Sequence, residues 1–235
     1  MVEELNTKED LLNKLRSYRT APDDDNILYK RKIKKALLSN PCLLYALNES
    51  NLYKELFDPS DKAHWEYDKE RKMYVPTDDC RINWEWNDEL NDYEPLGEWD
   101  RYFGSDSNIR PFLFIPDTQT EVKHYICYQT FFNESPRYNA IEKYAQITFT
   151  IFVHGNDRMD KSTGIPRHDL IASILRERIN WTNIFGTHCE LVSNRESTTD
   201  NNYLVRTLVF QLTALKNISQ TQNNKSCVIN NKVRM

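Results

Sequence analysis

The stretch from Tyr144 to Leu215 constrains this chain more than any other, because within it two kinds of hydrophobic period follow one another. In its first part Ile147, Phe149, Ile151 and Val153 alternate with Gln146, Thr148, Thr150 and Phe152, the period of a strand with one dry face. After a polar loop, Pro166 suits the first turn of a helix, where its missing N–H costs nothing, and Asp169 would there face the positive end of the helix dipole. Leu170, Ile171, Ile174, Leu175, Ile179 and Trp181 then fall on one broad helical face, interrupted by Arg178, which reads as a snorkelling side chain near the helix end. The helix is expected to stop between Thr182 and Gly186. Thr187 to Ser193 reads as a second strand, Asn194 to Asn202 as a polar loop, and Tyr203 to Thr213 as a long strand in which Leu204, Arg206, Leu208, Phe210 and Leu212 share one face. The two strands make a hairpin. A helix laid across such a sheet buries one face of each element, so the expected fold class is α+β: a small, mostly antiparallel sheet with a helix packed on one face, preceded by short N-terminal helices.

The formal net charge of −4 gives no global attraction to nucleic acid or an anionic membrane, so either would need a local patch. No long apolar segment and no signal peptide are visible, and the polar, charged start from Met1 to Asp10 argues for a soluble protein made and kept in the cytosol. The five cysteines, Cys42, Cys80, Cys127, Cys189 and Cys227, are odd in number and far apart, which points to reduced thiols. Among the five histidines, His64, His124, His154, His168 and His188, no pair has helical metal-ligand spacing. His188 and Cys189 are adjacent in a strand and so face opposite sides of it, an arrangement unsuited to one metal ion.

Upstream, residues 1–57 read as a helical region. Leu11, Leu12, Leu15 and Tyr18 give a short amphipathic helix; a second, from about Ile27 to Ser39, carries Lys30, Arg31, Lys32, Lys34 and Lys35; Pro41 restarts a third through Cys42 to Leu47. The basic run could meet phosphate, but no aromatic residue interleaves with it to stack on bases, so a solvated helix face is the expectation. Residues 58–104 form an acidic insertion with Trp65, Trp84, Trp86 and Trp99, held down by its aromatics against the main domain or another chain. The α+β core takes 105–218, with Ile109 to Ile115 and Tyr125 to Phe132 as further strands and Phe112 to Ile115 as the centre of the first. A polar tail, 219–235, follows.

Between those strands, Asp117, Glu121 and Lys123 resemble the metal-nuclease pattern, in which two carboxylates hold Mg²⁺ and a lysine steadies the attacking water or the phosphate. Glu121 follows Asp117 too closely for that pattern, and Asp106 is an arbitrary substitute. The expectation is therefore no enzyme, no cofactor and no metal, with a Mg²⁺-dependent nuclease as the weaker alternative and a plain turn begun by Pro116 and Asp117 as the simpler one.

From about Ile27 onward the chain resembles head-to-tail joining proteins of tailed bacteriophages, in particular the tail terminator or tail completion class. The resemblance rests on Asn40 to Asn48 (Asn-Pro-Cys-Leu-Leu-Tyr-Ala-Leu-Asn), Ile115 to Lys123 (Ile-Pro-Asp-Thr-Gln-Thr-Glu-Val-Lys), Arg167 to Leu170 (Arg-His-Asp-Leu) and Asn180 to Gly186 (Asn-Trp-Thr-Asn-Ile-Phe-Gly). It implies a small sheet with a helix packed on it, working as a homo-oligomeric ring, commonly sixfold and so hexameric. The ring would be a structural protein of the virion neck, assembled in the host cytoplasm. Its partners would be itself, the tail-tube protein and the head connector or portal adaptor, with no membrane and with DNA at most passing through. Another neck or head-completion adaptor is the nearby alternative. The 58–104 insertion departs from compact members of that class.

A ring subunit needs polar loops that order on contact. The segment from His154 to Ile165 has two glycines, two aspartates and little to bury, so it reads as mobile until a neighbour holds it. Asn156, Asp157, Arg158, Asp160 and Lys161 there, with Arg195, Glu196 and Asp200 from the second polar loop, are the expected interface residues.

Overall fold

The computed structural model describes residues 7–17, 25–38, 40–48, 65–70, 73–76, 84–87, 92–95, 108–114, 116, 122–133, 142–182, 184–199, 202–215, 218–220 and 226–228. The centre is a five-stranded sheet in the order β5-β6-β7-β9-β8, built from β5 (Ile109–Arg110), β6 (Tyr125–Asn133), β7 (Glu142–His154), β9 (Tyr203–Leu215) and β8 (Cys189–Thr198). β5 runs parallel to β6 and every other pairing is antiparallel.

The register explains the core. Ile147 lies opposite Phe210, Phe149 opposite Tyr128 and Leu208, and Ile151 opposite Ile126, so all these side chains stand on one face of the sheet and are buried. Three helices supply the other half of that layer. They are α2 (Asp25–Leu38), α3 (Pro41–Ala46) and α4 (Arg167–Ile179). In α2, Tyr29, Ile33 and Leu37 are spaced at four and point inward, Tyr29 stacking on Phe185 at 5.1 Å and meeting Phe132 edge-on at 5.0 Å. α3 begins at Pro41 with Asn40 as its cap, whose side-chain oxygen accepts from the Leu43 N–H at 3.2 Å, and it buries Leu43 and Leu44. From α4, Ile171, Leu175 and Ile179 are buried in the same cluster, with Leu170 and Ile174 partly buried against it. A smaller cluster, Tyr125, Cys127, Phe152, Tyr203 and Val205 with Phe114 against it, occupies the other face of the sheet. The α+β class and the helices ahead of the sheet are as the sequence indicates.

Several elements differ from expectation. Pro166 caps α4 and the helix starts one residue later. Trp181 is not on its buried face: the helix ends at Ile179, Asn180 is extended, and Trp181 turns outward with φ 59° and 63% exposure. The expected strand over Ile109 to Ile115 is reduced to Ile109–Arg110, because the chain leaves the sheet there; Phe112 and Leu113 are exposed, and Phe114 folds back under the Arg110 guanidinium, 3.6 Å from its ring centre. The second polar loop is largely strand, since β8 continues through Asn194 to Thr198 after an irregularity at Val192. It looked like loop because β8 is an edge strand, exposed on both faces beyond the irregularity and so without apolar alternation. Arg195 and Glu196 therefore sit on a strand, and Asp200 lies outside the described residues.

The acidic insertion contains two short hairpins, β1 (Trp65–Asp68) with β2 (Met73–Pro76) and β3 (Trp84–Asn87) with β4 (Asp92–Pro95), and the polar tail contains a third, β10 (Ile218–Gln220) with β11 (Ser226–Val228). The first helix, α1 (Lys8–Ser17), opens with a reciprocal cap: the Thr7 backbone N–H donates to Asp10 and the Asp10 N–H donates to the Thr7 hydroxyl. Its Leu11, Leu12 and Leu15 are exposed.

Candidate functional site

The densest polar structure lies where the loop after β7 meets the start of α4. A short 3-10 turn, Gly155–Asp157, begins it. Gly155 is required at that point because a Cβ there would collide with the Asn202 side chain, which closes the end of the β8–β9 hairpin. Asp157 is then held from three sides. Arg167, at the first position of α4 and only 3% exposed, donates from Nη2 to Asp157 Oδ1 at 3.1 Å and from Nε to the Asp157 carbonyl at 3.3 Å; its Nη1 donates to the Ala46 carbonyl at 3.0 Å. The other carboxylate oxygen, Oδ2, accepts from the Asn48 side chain at 2.7 Å and lies 3.0 Å from His124 Nε2.

The hydrogen bonds fix the tautomer of His124. Its Nδ1 lies 3.2 Å from the His154 backbone N–H, which can only donate, so Nδ1 accepts and the proton sits on Nε2, aimed at Asp157. Burial, reinforced by the neighbouring Arg167 and His154 and opposed by Asp157, holds the His124 pKa below its ordinary value. Burial pushes the Asp157 carboxyl up, but the hydrogen bonds from His124 and Asn48 and the Arg167 guanidinium outweigh it and hold the group below the usual carboxylate range.

Asp160 organises the rest of the loop. Its Oδ2 accepts from the Ser162 hydroxyl, from the Thr163 hydroxyl at 2.7 Å and from the Thr163 N–H at 2.9 Å, and its Oδ1 is 3.6 Å from Arg167 Nη1. These bonds, the Ser162 hydroxyl first, hold its carboxyl below the usual range despite burial. Gly164 supplies φ +69° where the loop turns back, and the Arg167 N–H donates to the Arg158 carbonyl at 2.7 Å. The expected mobile loop is thus corrected: its aspartates bury themselves against a cation from the next helix, and the segment is closed by its own hydrogen bonds.

Above this lock is an open cavity of about 460 Å³. Asn156, Asp157, Asp160 and Lys161 line it, with Arg167 and Ser162, and Tyr45, Asn48 and Val122 complete its wall. Four of the expected interface residues are therefore gathered at one place. Arg158, exposed, is outside the lining.

Arg195 and Glu196 belong to a separate group on β8. Glu196 lies opposite Arg206 in register; Arg206 Nη1 is 3.3 Å from Glu196 Oε2 and 3.3 Å from Asp169 Oδ1, tying the β8–β9 hairpin to the first turn of α4. His168, 4% exposed, lies 3.3 Å from Glu196 Oε1, close enough for an ion pair when protonated but not aligned as a hydrogen bond. Arg195 is exposed beside them.

Of the nuclease alternative, Asp117 and Glu121 lie outside the described residues, and no group of three or more His, Cys, Asp or Glu suited to a metal occurs among the described ones. Among those residues, too, no helix is long and apolar enough to cross a membrane. Cys42, Cys127 and Cys189 are free thiols; Cys189 is buried and His188 exposed, on opposite sides as expected.

Sequence reasoning about chemistry missed Asn48, His124 and Arg167, the three residues that hold Asp157. Their one available signal was position: Asn48 closes and Arg167 opens two of the motifs that carry the phage resemblance, and His124 directly follows a third.

The YomW family model matches residues 43–212, which takes in α3 from Leu43 on, the five-stranded sheet up to Leu212, the lock and α4. No curated protein matches the chain.

Proposed function

The chain belongs to the YomW family, a phage-type family, and from that premise we propose that it is a structural protein of the virion neck. In this reading it forms a hexameric ring that terminates the tail tube and joins it to the head connector. The observation that carries the reading is the locked loop. A polar surface of Asn156, Asp157, Asp160 and Lys161 is held in place by buried hydrogen bonds, so a neighbour meets a preformed contact and does not have to supply the cost of ordering it. The β8 edge agrees with it. Ten residues long and exposed beyond Ser193, it presents backbone donors and acceptors that a ring neighbour or a partner strand could pair with.

The mechanism is mechanical. The ring occupies the upper surface of the last tail-tube subunits, which stops their polymerisation, and offers its own upper face to the head connector or portal adaptor. Nothing turns over, DNA only passes through the ring, and the protein resides in the virion neck. Electron micrographs of the purified protein, alone and with isolated tails and heads, test this. Rings that cap tube ends are the expected result; attachment to heads alone would make it a head-completion adaptor, and failure to join either would overturn the neck reading.

A further inference from the structure

Among the described residues three that are not glycine have positive φ, and two of them, Asn48 and Asn202, are of the type that tolerates it. The third is Trp181. A bulky side chain in the left-handed region is an outlier that costs free energy, and such strain persists where the surroundings over-determine it, often because the residue has a use. The surroundings here do hold the backbone. The Trp181 N–H donates to the Cys189 carbonyl at 2.6 Å, and the preceding Asn180 side chain accepts from the Leu191 N–H at 2.8 Å. Yet the indole itself is 63% exposed, with His188 tilted beside it at 6.3 Å between ring centres. The fold thus presents an aromatic knob on a fixed backbone, in a conformation that Asn or Gly would adopt at lower cost.

The cavity at the other end of α4 is its counterpart. Arg167, in the floor of the cavity, is the first residue of that helix, and Trp181 lies two residues past its last. Thirteen residues of helix span about 20 Å at 1.5 Å each. Knob and cavity therefore cannot meet within one chain. A cavity of about 460 Å³ is within the range of roughly 300–1,000 Å³ that holds compact ligands and has room for an indole. Its wall includes Tyr45 and Val122, both more than 40% exposed, for the ring face, while Asn156 and the Asp160 carboxylate offer oxygen to the indole N–H.

We infer that Trp181 of one subunit seats in the cavity beside Asn156 and Asp160 of the next, making the head-to-tail contact of a ring. The inference rests on the ring reading and names its interface. Two different patches at opposite ends of one helix are what a heterologous contact needs, and such contacts make rings where the rotation between subunits closes.

The test uses the full chain, with oligomer size measured by native mass spectrometry and sedimentation over a range of concentrations. Trp181→Asn removes the knob, and Asn156→Trp fills the cavity from a surface position. Each variant alone should be monomeric where the wild type forms rings, with association weakened by about 30-fold or more, as for a buried aromatic anchor. An equal mixture should stop at one-to-one pairs, because only one intact knob and one intact cavity are left between the two. Compared at a concentration dilute enough that both are monomeric, Trp181→Asn should also raise the thermal midpoint by about 1–3 °C through relief of strain, whereas an indole with a structural role would make it fall. Rings in Trp181→Asn, or full rings restored in the mixture, would overturn the knob-and-cavity contact and leave the ring reading standing. A wild-type protein that forms no ring alone or on tails would overturn both.

Discussion

Arg167→Met is the most informative single change, because one buried guanidinium joins the loop after β7, the end of α3 and the start of α4. The substitution keeps much of the side-chain volume and the helix propensity but removes three hydrogen bonds, to Asp157 Oδ1, the Asp157 carbonyl and the Ala46 carbonyl, and an ion pair to Asp160. Charge-assisted hydrogen bonds contribute about 1.5–3 kcal/mol each, but they are not additive here, since all belong to one side chain. The better guide is removal of one partner from a buried pair, about 3–5 kcal/mol, because Asp157 is left with its charge and only His124 and Asn48 to stabilise it. For a chain of this size that corresponds to a fall in thermal midpoint of roughly 6–20 °C. Thermal and urea unfolding followed by circular dichroism should show it, and hydrogen exchange should rise first at Gly155 and Gly164, whose N–H groups donate to the Asn202 and Asp160 carbonyls. Asp157→Leu with Arg167→Met should cost less than the sum of the two single changes. If Arg167→Met stays within about 1 kcal/mol of wild type, the lock does not hold the loop and the case for a preformed contact surface fails with it.

The acid limb of stability carries the signature of the same cluster. The folded pKa of His124 is depressed, so its contribution is full above the unfolded value of about 6.5 and is lost as pH falls from there towards the folded value; Asp157, depressed likewise, adds its loss below about 4. His124→Gln should therefore flatten the decline in thermal midpoint between pH 7 and 5, and an unchanged slope would count against burial holding His124 neutral. In the core, Phe149→Ala and Leu175→Ala should each cost about 2–5 kcal/mol, Ile174→Ala less because it is only partly buried, and Thr148→Ala little; equal costs at Thr148 and Phe149 in urea unfolding would contradict the facing of β7. Replacing residues 156–162 by a Gly/Ser linker deletes both Asp157 and Asp160 and should destabilise the isolated protein about as much as Arg167→Met, whereas a neutral result in thermal unfolding would restore the reading of the loop as a free segment.

Much of the fold was legible because β7, β9 and α4 each have one face against a common layer. Ile147, Phe149, Ile151 and Val153 repeat at two and Ile171, Leu175 and Ile179 at four, and each period reports a surface that the partner element covers. The misreadings share a cause, which is that local periodicity is silent about neighbours. Phe112 and Leu113 are as apolar as a core strand but lie past the point where β5 leaves β6. Ser193 to Thr198 are as polar as a loop but are held in a ladder by β9. Trp181 continues the spacing of α4, yet the chain has already turned at Asn180.

The loop after β7 shows what such reasoning leaves out. Two aspartates among polar residues, with only Met159 and Ile165 apolar, suggest a segment with little to bury, but a carboxylate does bury when a cation and neutral donors meet it. Asp157 found them at Arg167, ten residues on, and at Asn48 and His124, far away in the chain. No window of sequence contains that set. What the sequence did contain was its outline, since Asn48 and Arg167 stand at the ends of two segments that resembled a family more than they resembled any chemistry. The lock gives those positions a physical role: the end residues of two separated segments clamp one loop. The clamped loop then presents Asn156 and Lys161 in the lining of a cavity. Residues that clamp a loop from distant parts of the chain share no sequence spacing, so a search for spaced motifs passes over them even when their positions are in plain view.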